Sequence, residues 1–258
     1  MNKILILAAC LVPAALPQTK TLSCDEGGNW RDSGRYCEIR EATIPAGGSL
    51  DVDARPNGGI SIKGADRNDI LVRSKVESDQ DDRAASKRVV SEVRVETAGG
   101  HVHATGPVMH RHGWSVSYEI FVPNHTNLTL RSENGGIHIA SVRGHTEFET
   151  VNGGVSLQEL AGDVEGHTTN GGVIVDLAGN RWEGDRCDVS TTNGGVTIRV
   201  PSAYSARLET GTVNGGVSID FPVTMQGEIS RHISVNLGSG GKLVRATTTN
   251  GGVRVERI

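Results

Sequence analysis

The chain has 258 residues and a formal net charge of -4 with both signs interspersed, so it lacks the long basic tract that phosphate neutralisation needs, which excludes nucleic acid as the expected partner. Gly occurs 34 times while Phe, Trp and Tyr occur three times each, which excludes a core of large aromatic side chains and implies many tight turns. The glycines sit between short Val/Ile/Leu/Thr runs, a pattern of folded β-structure rather than of a flexible linker.

The first segment reads as an export signal over residues 1–17. Lys3 supplies the positive region, Ile4 to Leu16 the apolar one, and Ala14, Ala15 and Pro17 precede polar Gln18. Leu7-Ala8-Ala9-Cys10 looks like a lipoprotein cleavage box, but the apolar stretch before Cys10 is short for one, so a lipid anchor is the lesser expectation. Beyond this segment no stretch approaches the ~20 apolar residues that cross a bilayer, so the mature chain is expected to have no membrane span. The expected address is outside the cytoplasm: periplasmic, cell-surface or secreted.

Export makes the cysteines interpretable. Cys24 and Cys37 lie 13 apart in a Gly-rich polar segment, and a disulfide between them is expected. Closing that loop stabilises the N-terminal end by roughly 3 kcal/mol in the chain-entropy model. Residues 18–49 then form a disulfide-bearing segment ahead of a main domain at 50–258. Cys187 and Val189 alternate with Asp188 and Ser190, so Cys187 is expected as a buried thiol on a strand.

In chain order, strands are expected at Ile70 to Val76, Val89 to Glu96 and Trp114 to Val122. One helix is expected, from Ser78 to Glu92, with Ser78 and Asp81 as a capping pair and Ala85, Val89 and Val90 on its apolar side. It is the candidate cap for strand edges that would otherwise invite aggregation.

The informative feature is the tripeptide Asn-Gly-Gly, which begins at Asn57, Asn134, Asn152, Asn170, Asn193, Asn214 and Asn250. Each copy is followed by an apolar-x-apolar strand pattern such as Val155-Ser156-Leu157, and six have Ser or Thr two residues before Asn: Ser132, Thr150, Thr168, Thr191, Thr212 and Thr248. Spacings from Asn134 to Asn214 are 18, 18, 23 and 21 residues, within the range of stacked solenoid units. Gly144, Gly162 and Gly179 form a second ladder in phase. Between Asn214 and Asn250 the period breaks, with Gly238 to Gly241 as a degenerate turn. If equivalent positions stack about 4.8 Å apart, the Asn amides can bond from rung to rung, the glycines permit positive φ at a corner, and Val-x-Ile fills a narrow interior. An antiparallel meander also fits an 18-residue period, since Asn-Gly is a hairpin signal. Recurrence of the same strand after the same corner favours the solenoid.

Motifs that carry chemistry are sparse. Gly238-Ser239-Gly240-Gly241-Lys242 has the wrong spacing for a phosphate loop, with Leu243 where a hydroxyl residue belongs, and no nucleophile elbow occurs. His101-x-His103 with His110-x-His112 could supply four imidazoles to a metal, but a solvent-facing strand followed by a polar loop, marked by Gly106 and Pro107, is the expected reading. Asp79 to Asp82 suits a helix start better than a calcium loop. Asp163, Asp176 and Asp188 with Arg181 and Arg186 are the residues a polysaccharide lyase on a β-helix would draw on, and Trp182 could stack on a sugar. Nothing pairs them, so the expectation is no catalytic, cofactor or metal site.

Cys37-Glu38-Ile39-Arg40-Glu41, Asn57-Gly-Gly-Ile60, Trp114 through Pro123 and the Thr-x-Asn-Gly-Gly copies through Val253 together resemble the bacterial "putative adhesin" family, a domain of unknown function among the toastrack-like β-solenoids. The resemblance covers roughly Cys24 to Ile258. It implies an all-β fold, a right-handed single-stranded β-helix or solenoid with Asn-Gly-Gly corners, here with one short capping helix in the N-terminal half, and it carries over no catalytic residues. The function expected is a non-catalytic exported adhesin-like or scaffold protein binding an envelope protein or glycan through its surface. A lyase-type enzyme and an envelope-stress sensor or assembly module are the alternatives.

Overall fold

The computed structural model describes residues 22–24, 34–109, 113–221 and 231–258, and the expected signal segment lies outside them. Its first part carries β1 (Arg35–Pro45), β2 (Ser49–Asp53), β3 (Ile60–Ala65), β4 (Asp69–Asp79), α1 (Arg83–Glu92), β5 (Arg94–Glu96), β6 (His101–Thr105) and β7 (Trp114–Pro123). Strand pairs then flank successive tripeptides: β8 (Asn127–Ser132) and β9 (Ile137–Ala140), β10 (Thr146–Asn152) and β11 (Val155–Gln158), β12 (Val164–Asn170) and β13 (Val173–Asp176), β14 (Arg186–Asn193) and β15 (Val196–Val200). The chain ends with β16 (Ala206–Asn214), β17 (Val217–Ile219), β18 (His232–Leu237), β19 (Leu243–Asn250) and β20 (Val253–Arg257).

These strands form two ten-stranded sheets, ordered β1-β4-β7-β3-β9-β11-β13-β15-β20-β17 and β18-β16-β19-β14-β12-β10-β8-β2-β6-β5. In every repeat the strand before Asn lies in the second sheet and the strand after the glycines in the first, so each rung has two long faces. Alternation sets which side chains go inside. Val155 and Leu157 stack in register with Val173 and Val175, Val196 and Ile198, and Val253 and Val255, all no more than 2 % exposed. The second sheet answers with Leu128, Leu130, Val164 and Val189, and Phe148 fits because its ring lies over Gly166, where a Cβ would come within 2.4 Å of it.

Rung order departs from chain order at the C-terminal end. The chain lays down β16 and β17, runs back as β18 antiparallel to β16, and turns at Gly238 to Gly241. Strand β19 then enters between β14 and β16, and β20 between β15 and β17. The break in period between Asn214 and Asn250 is this return, not a decayed rung. At the other end β4 is antiparallel to both β1 and β7.

The helix is shorter than its sequence pattern suggested. Strand β4 continues through Ser78 to Asp79, and the N-cap is Asp82, whose carboxylate accepts from the Ala85 amide at 2.7 Å. Val89 stays helical, so the strand expected from Val89 shrinks to β5. The helix packs on β1 and β4, and the Arg40 guanidinium of β1 donates to the Val90 and Val93 carbonyls at its C-terminus.

What fixes rung spacing is the first glycine of each tripeptide. A Cβ on Gly153 would stand 2.1 Å from the Gly135 carbonyl oxygen, and the same obstruction recurs at 2.1 Å for Gly171 and Gly194 and at 2.0 Å for Gly215 and Gly251. Positive φ is not the reason, contrary to the expectation from the motif. Apart from Gly251, none of the fourteen tripeptide glycines has positive φ, which falls instead at the second ladder, at Gly144, Gly162 and Gly179. The buried Thr two residues before Asn completes the joint. Thr150 donates to the Gly135 carbonyl, Thr168 to Gly153, Thr191 to Gly171, Thr248 to Gly194 and Thr212 to Gly251, at 2.7–2.9 Å.

Two neighbouring glycines therefore differ sharply. Gly153→Ala is expected to cost at least ~3 kcal/mol, because backbone must move. Gly154→Ala, whose Cβ would sit 3.6 Å from its nearest neighbour, is expected to leave the thermal midpoint unchanged or slightly higher. Equal effects in chemical denaturation would contradict this division. Thr168→Val, which leaves a buried carbonyl without its donor, should cost about 1–2 kcal/mol.

Candidate binding surface

The seven ladder residues stand in one column outside the core. The Asn134 amide donates to Asn57 Oδ1 at 3.2 Å, Asn152 to Asn134, Asn170 to Asn152 and Asn193 to Asn170 at 2.9 Å, Asn250 to Asn193 and Asn214 to Asn250 at 2.8 Å. Each link uses one of an amide's two N–H groups and the Oδ1 of its neighbour, so the column bonds chiefly to itself.

The second glycines create a different feature. Gly59, Gly136, Gly154 and Gly172 lie side by side and floor a shallow trough of about 560 Å³ on the outer face of the first sheet. Beside them runs an in-register row of outward side chains, Ser61, His138, Ser156 and Ile174. A methyl group on Gly154, Gly195 or Gly252 would make only ordinary contacts at 3.5–3.7 Å, and on Gly216 none. Of the trough's own floor glycines only Gly154 has that room, since a Cβ on Gly59, Gly136 or Gly172 would stand 3.3, 3.0 or 3.3 Å from a carbonyl oxygen of the next rung.

Burial places His138 Nε2 within this wall without a hydrogen-bond partner among the described residues. Desolvation holds the imidazole below its ordinary pKa of 6.5, opposed by the Asp176 carboxylate on β13. On the same outer face β3 presents Ser61 and Lys63, and β11 presents Ser156 and Gln158. Because the folded value is depressed, the neutral ring's contribution to stability is complete above the unfolded value and is lost as pH falls through the folded one. The melting midpoint should drop on acidification from about pH 7.5 to 5, and His138→Gln should shrink that drop. An unchanged pH profile in the variant would contradict it.

One wall of the trough is Leu22. Two residues on, Cys24 is disulfide-bonded to Cys37 of β1, with Cα atoms 5.8 Å apart.

The other sequence candidates do not converge. His101 faces Asp51 at 3.4 Å and His103 faces Glu96 at 3.5 Å, while His110 and His112 lie outside the described residues. Among the described residues no group of three or more His, Cys, Asp or Glu is placed to hold a metal ion. Asp176 pairs with Arg199 on the first sheet, whereas Asp188 and Arg186, on the second, pair with Arg245 and Glu165. Asp163 accepts from the Asp185 amide, and Arg181 is exposed at the second turn. Trp182 is only 5 % exposed and donates to the Gly162 carbonyl, so it is a core residue and cannot stack on a sugar. Lys242 pairs with exposed Asp185 at 2.9 Å. Cys187 is buried, which pushes its thiol up to about 12. The trough itself was missed in the sequence, although the repeated second Gly and the Ser, His, Ser and Ile that follow it carried the signal.

Residues 35–256 match the family model Toastrack DUF4097. The chain belongs to that family. In this Toastrack DUF4097 protein the matched span takes in β1, so Cys37 is part of the family unit while Leu22 and Cys24 precede it. Solved structures similar to the Toastrack DUF4097 chain include a "putative cell adhesion protein" from Clostridium sporogenes, at 13 % identity and TM-score 0.45, with 86 % of this chain and 100 % of that one covered. Another is a "putative adhesin" from Bacteroides fragilis, at 10 % identity and TM-score 0.42 over 86 % and 97 %. A third is a "putative lipid binding protein" from Parabacteroides distasonis, at 10 % identity and TM-score 0.33 over 85 % and 96 %. No curated protein matches the sequence. Among the described residues no helix is long and apolar enough to cross a membrane.

Proposed function

We propose that this Toastrack DUF4097 protein is an exported, non-catalytic interaction module of the cell envelope, and that it holds a protein or glycan partner against the outer face of its first sheet. The observation that carries the reading is the trough itself, an open floor of second glycines flanked by the outward row Ser61, His138, Ser156 and Ile174. A shallow, open, largely apolar trough suits contact with an extended or flat partner. Acid–base chemistry needs convergent ionisable groups with matched pKa values; among the described residues that line the trough the titratable side chains are His138 and Tyr118, and burial pushes the Tyr118 hydroxyl well above its ordinary range. The apolar N-terminal segment and the Cys24–Cys37 bond support export.

Immobilised mature protein should enrich a specific partner from envelope extract. Ser156→Trp, which fills the trough, and Ile174→Glu, which charges its wall, should each abolish that enrichment, while Glu147→Lys on the outer face of the second sheet should not. Enrichment lost through Glu147→Lys and untouched by both trough variants would overturn the assignment.

A further inference from the structure

We propose that the second turn of the stack carries a binding site for a hydroxylated carboxylate the size of one sugar ring, a uronic acid. The site lies at the other turn of the rung from the Asn-Gly-Gly corner, and it does not rest on the role of the trough.

Its wall is an insertion. Val155 and Val164 lie nine positions apart, whereas Val173 and Cys187, in register with them, lie fourteen apart, so the turn between β13 and β14 takes up all of the extra length in the 23-residue spacing from Asn170 to Asn193. In stacked repeats, insertions of this kind project from one side and often form the binding surface. This one is fastened at three points. Trp182, 5 % exposed, donates from its indole to the Gly162 carbonyl at 3.1 Å, the Ser205 amide donates to the Asn180 carbonyl at 2.8 Å, and Glu183 forms an ion pair with Arg143 two rungs away. A wall held in this way loses little freedom when it binds.

Against it lies a cavity of about 280 Å³. Sites for drug-sized molecules start near ~300 Å³, so this one suits a single ring. Leu160, Ala161 and Ala178 supply the apolar part of its lining. Ser141 and Glu159, which also line it, are the only non-glycine residues with positive φ among the described residues, at 57° and 53°. Strained backbone of this kind gathers at ligand sites. The Ser141 hydroxyl donates to Glu159 Oε2 at 2.9 Å, which leaves Oε1 open. Two further lining groups are uncommitted: among the described residues nothing pairs with the Arg181 guanidinium or with the side-chain amide of Asn124.

The open set is thus one planar cation, one amide and one carboxylate oxygen. A guanidinium fork matches a carboxylate in a bidentate pair. An amide and a carboxylate oxygen together donate to and accept from neighbouring hydroxyls. A uronate carries both kinds of group on one ring, with a C–H face for Leu160 and Ala178. A neutral hexose lacks the first kind and acetate the second.

The test is a titration of the isotope-labelled mature protein with D-galacturonate, D-galactose and trigalacturonate, followed by backbone amide shifts. D-galacturonate should bind at ~1 mM, with the shifts centred on residues 178–183, and D-galactose about ten-fold more weakly. Tighter binding of trigalacturonate than of the monomer would assign the site to an acidic polysaccharide, and equal binding to a free sugar acid. Arg181→Ala should weaken D-galacturonate by about ten-fold or more and Arg181→Lys by less, with thermal midpoints unchanged because Arg181 is exposed. Ser156→Trp, in the trough, should leave this binding as it is. No saturable shift of residues 178–183 up to ~20 mM D-galacturonate, D-galactose bound as tightly as D-galacturonate, or wild-type affinity in Arg181→Ala would overturn the proposal.

Discussion

Backbone meets backbone at the first glycine of each tripeptide, and the rest of the molecule is arranged around that approach. The Gly135 carbonyl sits where a Cβ of Gly153 would have to be, and the hydroxyl of Thr150 bonds the same oxygen from inside. A side chain at that point would push the rungs apart and forfeit both the Thr hydrogen bond and the amide link between Asn134 and Asn152. Rung spacing, Thr donor and Asn column are thus one joint, repeated along the stack. It also limits the interior, because a chain that reverses this tightly leaves room between the sheets for Val and Ile but not for many rings.

A stack built from identical joints has two ends with unpaired edges, and the two ends are finished differently. At the N-terminal end β4 and β7 turn antiparallel, α1 packs over β1 and β4, and Arg40 satisfies the last helical carbonyls. At the C-terminal end the final rung is threaded inward, so that β19 and β20 are covered on both sides and the chain terminus is not an edge. Antiparallel β18 closes one side of β16. The first sheet still ends in β1 and β17, each paired on one side, and the second in β18 and β5.

Much of this was legible in the sequence because strand periodicity permits no slip: moving Val155-Ser156-Leu157 by one position would turn two branched side chains into solvent. The Asn column followed from the same register. The purpose of the first glycine did not, since its obstruction comes from the neighbouring rung and local φ preference suggested another cause. Rung order was hidden for a related reason. The copies at Asn193, Asn214 and Asn250 have equivalent edges, so nothing local says which lies beside which. The helix start was misplaced because Ser78 and Asp81 imitate a capping pair while Ser78 is in fact an inward strand residue of β4, and Trp182 read as free to stack on a sugar because nothing local shows that its indole is buried and bonded to the Gly162 carbonyl.

Paired cysteines test the stacked order most directly, because adjacent in-register positions about 4.8 Å apart can form a disulfide and positions two strands apart, at roughly 10 Å, cannot. Asn193→Cys with Asn250→Cys, and Asn250→Cys with Asn214→Cys, should cross-link within one chain under mild oxidation, while Asn193→Cys with Asn214→Cys should not. Ready cross-linking of Asn193→Cys with Asn214→Cys, and none with Asn250→Cys, would show that the rungs follow chain order and that the joint described here is wrongly placed.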